Sequence, residues 1–476
     1  MAYFIYIRFI LTSYPMKPAT ILSFLLLLSF ASKGQTAVRQ IQTLVVSDSI
    51  LWEIPQAKAA GSFMFSEWGN GDNFNFHFEP DKPVQISLKS GNNTLTVACP
   101  SKPTKTLFPI KLQQNGESKI LNICYIPPFK PSFANKYKPN SGSIVFDNNA
   151  AYELVNVVFS LTEKGKKDAS TFNINTDYFK EINNYFQSYK NHPLISLANK
   201  IYEPGSSIYR MYRESAYNYS FKKRKIARTG PYVNFEEGNT ILDDLALWED
   251  FAQKSNFLKF YSAHKDLYQK ELTEAEKKLP VKQMWNWCES KFPDRYHTYR
   301  IVISPLVNGF HSTININSET ANECVMFICG PNVINTGKYS FKVLEGLYSG
   351  IVFTEIDHNY INPLSENYKN ELNKTFGDQR WIKKDSQAAG YGNGTAYFNE
   401  YFTHAVFLLY VKEHYSEQEL ASIEKERVGL MKWRGFPLFN EFYAQLSSLY
   451  NAQENKTDLS QLYPALIKWG NQMNSN

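Results

Sequence analysis

Two short stretches of this 476-residue chain carry residues of the right type and spacing for chemistry at a metal. In Phe353-Thr354-Glu355-Ile356-Asp357-His358-Asn359-Tyr360-Ile361-Asn362-Pro363, Glu355 and His358 lie three apart. On a helix they share a face, so an imidazole can ligate an ion while the carboxylate activates a water bound to it. Asp357 points off that face. In Asn399-Glu400-Tyr401-Phe402-Thr403-His404, which follows Gly390-Tyr391-Gly392-Asn393-Gly394, Glu400 and His404 lie four apart and offer two more donors on one helical face.

The first stretch resembles the H-E-x-x-H helix of zinc peptidases, with Thr354 at the position of the first ligating histidine. The second resembles the N-E-x-x-[ST]-D helix of the gluzincin superfamily of those enzymes. By that resemblance Glu355 is the general base, His358 and Glu400 bind zinc, and Asn399 supports Glu400 from outside the ligand set. His404 replaces the usual aspartate. Losing one of some four zinc ligands costs about 3–4 kcal/mol, so either a substitute exists or the site is poorly metallated. His404 is one candidate substitute, and His311 in Gly309-Phe310-His311 is the other. A di-iron carboxylate site needs a second Glu-x-x-His, and none exists.

The chain is also similar to an uncharacterised family of secreted bacterial proteins, a domain of unknown function with gluzincin-like features. Its fuller members carry H-E-F-x-H-x-x-x-N-P, matched here from His358 to Asn362-Pro363. The similarity covers roughly residues 145–470, including Tyr152-Glu153-Leu154, Lys190-Asn191-His192-Pro193 and Ile303-Ser304-Pro305-Leu306. It implies a zincin-like fold with zinc as cofactor and a peptide or protein as substrate. The alternative is an inactive pseudopeptidase that binds peptide or glycan, with Trp68 and neighbouring aromatics of the N-terminal region making carbohydrate contact.

The elements that must position these residues follow from periodicity. Residues 36–130 alternate in short segments such as Asn73–Phe78, Val84–Leu88 and Ile120–Ile126, separated by turn signals such as Asn115-Gly116. They predict a small all-β, sandwich-like module. Pro131 and Pro139-Asn140-Ser141-Gly142 mark a linker over 131–145. From 146 to 476 the pattern is mainly helical: Tyr178, Phe179, Ile182 and Phe186 recur at helical steps, as do Leu242, Leu245, Trp248 and Phe251. Runs at Ile301–Ile303, Thr313–Ile316 and Cys324–Ile328 predict a small sheet, and helices follow near 344–361, 396–413, 416–431 and 437–451. Asn362 before Pro363 should end the first of these. The fold class is therefore α+β.

Residues 1–35 read as a secretory signal, beginning at Met1 or Met16, with an apolar run from Ile21 to Phe30 and a small polar exit. The protein is expected in the periplasm or outside the cell, without a membrane span once the signal is removed. Basic and acidic residues number 51 and 45, and three of the bases, Arg8, Lys17 and Lys33, lie in the signal. So balanced a chain excludes a nucleic-acid partner, and Lys222-Lys223-Arg224-Lys225 reads as a solvated loop. Five cysteines with no C-x-x-C spacing suggest no zinc knuckle; Cys99 and Cys124 are near enough in sequence to pair.

Overall fold

The computed structural model describes residues 41–475, apart from 56–58, 78–83, 100–105, 127–130, 135–136, 138–139, 234, 236–240, 242–243, 319–320, 335–336 and 455–457. The expected signal and the side chain of Cys99 lie outside the described residues. The chain divides into two compact units, residues 1–128 and 129–476.

The first unit contains β1 (Gln42–Val45), β2 (Ser49–Ile54), β3 (Ala59–Met64), β4 (Asp72–His77), β5 (Val84–Ser90), β6 (Asn93–Cys99), β7 (Thr106–Gln114) and β8 (Glu117–Ile126). They form two four-stranded sheets, β1-β7-β8-β4 and β3-β2-β5-β6. Alternation buries Ile50, Trp52 and Ile54 of β2 and Ile86 and Leu88 of β5. These meet Leu44, Ile110, Leu112, Leu121 and Ile123 from the other sheet in one core, the arrangement of a sandwich. Asn115 and Gly116 both take positive φ, 50° and 84°, as the tight turn from β7 to β8 requires. Trp68 stands edge-on to Phe63 and Phe74 at 5.4 and 5.2 Å, so its ring belongs to the packing of this unit.

The second unit carries β9 (Ser132–Phe133), β10 (Ser143–Asp147), β11 (Tyr219–Lys222), β12 (Lys225–Arg228), β13 (Tyr232–Val233), β14 (Thr298–Ser304), β15 (Ser312–Asn317) and β16 (Asn322–Cys329). Its main sheet runs β10-β14-β16-β15, with the first three strands parallel and β15 antiparallel at the edge. The linker expectation is corrected at its end, because Ser143–Asp147 pair with Thr298–Val302. The basic run forms the exposed turn between β11 and β12, with Lys223 at φ 60°.

Among the described residues the helices are α1 (Ala150–Ser160), α2 (Asp177–Phe186), α3 (Pro193–Ile201), α4 (Ser207–Tyr217), α5 (Leu245–Lys254), α6 (Phe257–Ala263) and α7 (Lys265–Lys278). After them come α8 (Val281–Lys291), α9 (Phe341–Glu366), α10 (Lys369–Phe376), α11 (Gly394–His414), α12 (Glu417–Arg434), α13 (Phe439–Ala452) and α14 (Tyr463–Ser475). Asn256, in the left-handed conformation, separates α5 from α6. None of these helices is long and apolar enough to cross a membrane.

Pro363 does not end its helix. α9 continues to Glu366 with the proline inside it. A helical proline leaves the carbonyl four residues earlier without its donor. Here that carbonyl belongs to Asn359, and the Tyr296 hydroxyl donates to it at 3.0 Å. Tyr296 in turn accepts from Asn315 Nδ2 at 2.6 Å. The helix is thus completed from the loop that leads into β14.

Two predictions follow from this packing. Tyr296→Phe leaves the Asn359 carbonyl unpaired and should lower stability by about 1–3 kcal/mol, seen as a lower urea midpoint at unchanged slope. Glu153 of α1 has no exposed surface and accepts from Tyr178 Oη at 2.8 Å and Asn148 Nδ2 at 3.3 Å. Burial pushes its carboxyl up, and the hydrogen bonds offset this only in part. Its stabilising contribution is whole below the unfolded value of about 4.3 and is lost as pH rises through the raised folded value. In Glu153→Gln the fall of stability with rising pH should therefore be shallower, measured by urea titration across the acid range.

Candidate functional site

The site is built where α9, α11 and α12 meet. Asn393 caps α11 by accepting from Ala396 N at 2.9 Å. Ser416 and Glu419 form a capping box at the start of α12. α12 ends at Gly435, whose φ of 105° suits glycine and where a Cβ would lie 2.0 Å from Ser386 Oγ. These signals fix Glu400 and His404 on one helix and Arg427 and Arg434 on another.

Glu400 is the hub. Its Oε2 accepts from Arg434 Nη2 at 2.7 Å, and its Oε1 lies 3.4 Å from His358 Nε2. Burial alone would raise this carboxyl, but Arg434 and the hydrogen bonds from His358 and His404 hold it well below the usual carboxylate range. Burial opposes charge on His358 as well, yet the Glu400 carboxylate outweighs it and lifts the imidazole to about 9. His358 is therefore a cation at neutral pH. Glu355, half-buried, is raised to about 7 by burial, with His358 and Glu400 pulling in opposite directions. No hydrogen bond reaches its carboxylate from the described residues.

His404 sits between two guanidinium groups. Arg427 Nη1 is 2.8 Å from its Nδ1 and Arg434 Nη1 is 2.7 Å from its Nε2. A guanidinium only donates, and a neutral imidazole has a single accepting nitrogen. One contact is a hydrogen bond; the other sets N–H against N–H. Burial and the two arginines push His404 down to about 3. Arg434 also donates to the Tyr391 hydroxyl at 2.5 Å.

The sequence-predicted residues are thus only partly brought together. His358 and Glu400 converge. Thr354 turns its hydroxyl back on its own helix, donating to Gly350 O at 3.1 Å and Ile351 O at 2.9 Å. Asn399 Oδ1 and His311 Nε2 are buried with no hydrogen-bond partner. His311, just before the edge strand β15, feels the charges of Arg213, Arg434 and Arg427, and burial with Arg213 lowers it to about 3. Neither substitute ligand is supplied: His404 Nε2 faces Arg434, and among the described residues no three His, Cys, Asp or Glu side chains are grouped to hold an ion.

Arg427, Arg434 and Tyr391 are the residues of this cluster that the sequence reading missed. All three fall within a match to a family model described as Domain of unknown function (DUF4932), over residues 233–469. Residues 233–469 are a DUF4932 domain. No curated protein and no solved structure matches the chain. The DUF4932 domain takes in α9, α11, α12 and the strands β14 to β16, so the whole Glu400 cluster belongs to it. Arg213, on α4, lies outside it.

Within the DUF4932 domain the clue to Arg427 is a glycine. A Cβ on Gly350 would lie 1.8 Å from Arg427 Nη2 and 2.9 Å from the Phe407 ring, and the Arg427 guanidinium lies over that ring at 4.6 Å. Alanine in a helix normally gains about 0.5–1 kcal/mol over glycine. At Gly350→Ala the overpacking of about 1–3 kcal/mol should win. The variant is expected to unfold at lower urea concentration than the parent.

Proposed function

We propose that the chain is an exported, metal-free binding protein built on a gluzincin-like peptidase domain, and that its site receives an acidic group of a peptide. The observation that carries this is Arg434. Its guanidinium donates to Glu400 and faces His404 Nε2, where a third zinc ligand is needed. A dication would have to displace that cation and also the proton of His358, since a ligating imidazole must be neutral. The donor set therefore does not fit zinc.

What remains suits an anion. Arg427, Arg434 and His358 are cationic, Glu400 is fully ionised and Glu355 about half so at neutral pH. The surplus positive charge is reached from solvent through Tyr391, which is 37% exposed, and through His358 and Glu355. An arriving carboxylate gains charge-assisted hydrogen bonds from Arg434 and His358, and Glu355 can accept from a peptide N–H.

A second reading, zinc-dependent peptide hydrolysis with Glu355 as base, is favoured by one distance. Two ligands at about 2.0–2.1 Å from a tetrahedral zinc stand about 3.3–3.4 Å apart, the separation of His358 Nε2 and Glu400 Oε1. Zinc analysis after loading and dialysis separates the two readings. The parent chain should retain almost none, while Thr354→His combined with Arg434→Met should gain zinc. Peptides with a free carboxylate should bind the parent about tenfold or more tightly than their amides, and Arg434→Met should abolish that preference. Zinc near one per parent chain, or equal binding of acid and amide, would overturn the proposal.

A further inference from the structure

A different part of the second unit holds a cavity of about 420 Å³, a volume suited to a small organic ligand. It opens beyond the carboxyl ends of the parallel strands β14 and β16, at Pro305 and at Gly330, and is closed by α2 and α7. Crevices at the carboxyl ends of parallel strands are where open sheets take ligands. None of the residues lining it belongs to the Glu400 cluster.

The cavity is built around one carboxyl group. Glu271 of α7 is 6% exposed, and its Oε1 accepts from Asn332 Nδ2 at 2.6 Å. Its Oε2 receives no hydrogen bond from the described residues. That oxygen lies against Gly330, where a Cβ would approach it to 2.2 Å, so only glycine leaves it room. A carboxylate oxygen on a cavity wall with no donor from the described residues is open to a ligand that brings one. Burial raises the Glu271 carboxyl, with Asn332 opposing.

The remaining walls indicate the charge of that donor. Glu181 and Asp177 of α2 line the cavity, Asp177 at its rim and paired with Lys180 at 2.8 Å, and among the described residues no lysine or arginine lines it. Tyr178 lines it too, with its hydroxyl already engaged with Glu153 at 2.8 Å and Tyr268 at 2.6 Å, so the ring is what it has to offer. His264, also on the wall, has Nε2 held 2.8 Å from Glu181 Oε2.

We propose that this cavity binds a small primary amine, its ammonium hydrogen-bonded to Glu271 Oε2 and its organic part lying against Tyr178. An ammonium supplies both a donor for Glu271 Oε2 and a positive charge opposite Glu271 and Glu181, on a wall that holds no lysine or arginine among the described residues. The proposal is independent of the function assigned to the Glu400 cluster.

Calorimetric titration of the full mature chain with phenethylamine, and with its neutral isostere 2-phenylethanol, tests it. The amine should bind at least about tenfold more tightly than the alcohol, and Glu271→Gln should lose about tenfold or more of the amine affinity with unchanged circular dichroism. Leu267→Trp, one turn before Glu271 on α7, fills the cavity without touching the carboxyl group and should abolish binding even if the glutamine variant does not fold. Amine binding should also slow hydrogen exchange in residues 265–278 and 330–333. No amine binding, equal affinity for amine and alcohol, or undiminished amine binding in either folded variant would overturn the proposal.

Discussion

The helical half of the site depends on one buried ion pair, Glu400 with Arg434. A carboxylate only 6% exposed must find a compensating charge, because an unpaired ion in the interior costs several kcal/mol. Arg434 supplies it from the last turn of α12, and the left-handed Gly435 then turns the chain away. The pair therefore sets how α12 lies on α11. Once that geometry is fixed, Arg427, two turns earlier on α12, is carried to the other side of His404. Its guanidinium can be housed only because Gly350 has no side chain. A single electrostatic requirement thus propagates through three helices.

The same requirement accounts for the protonation pattern. Glu400, pinned as an anion, draws a proton onto His358, and the two guanidiniums keep one off His404. Two histidines within reach of the same carboxylate, at 3.4 and 3.6 Å, end in opposite states. Their difference comes from their other neighbours: Asn362 Oδ1 at 3.3 Å for His358, arginines for His404. Charge type alone would have assigned both the same role.

Much of the architecture was legible from alternation and helical periodicity, which report burial directly. The β module, the strands around Ile301, Ile314 and Val325, and the long C-terminal helices are where those signals place them. What escaped was set by distant contacts. β10 hid in a segment rich in proline, asparagine and glycine, and only pairing with β14 makes it a strand. The continuation of α9 past Pro363 depends on Tyr296, far away in sequence. Glu355-His358 and Glu400-His404 could be found because their chemistry is written in local spacing. Arg427 and Arg434 could not, since α12 is crowded with charged residues and reads as a solvated surface, and Trp433 beside Arg434 is indeed 73% exposed. The signal that was available lay on the opposite helix: Gly346 and Gly350, four apart, admit Ile423 and Arg427, also four apart.

That spacing also explains how α9 serves two neighbours. Gly346, Gly350, Thr354, His358 and Asn362 form one stripe of i, i+4 steps. With 3.6 residues per turn, each step of four advances the side chain by about 40° around the axis. The stripe is therefore a slow spiral: its first two members face α12, and His358, about 80° beyond Gly350, reaches Glu400 on α11. Thr354 falls between the two directions. A hydroxyl that closes on the carbonyls of Gly350 and Ile351 makes no demand on either neighbour, and it leaves the approach to Glu400 to the guanidinium. A histidine at that point would direct an imidazole toward a region already holding three cationic side chains, each fixed by its own partner. The threonine and the arginine are thus two parts of one arrangement, and neither is understood from the motif alone.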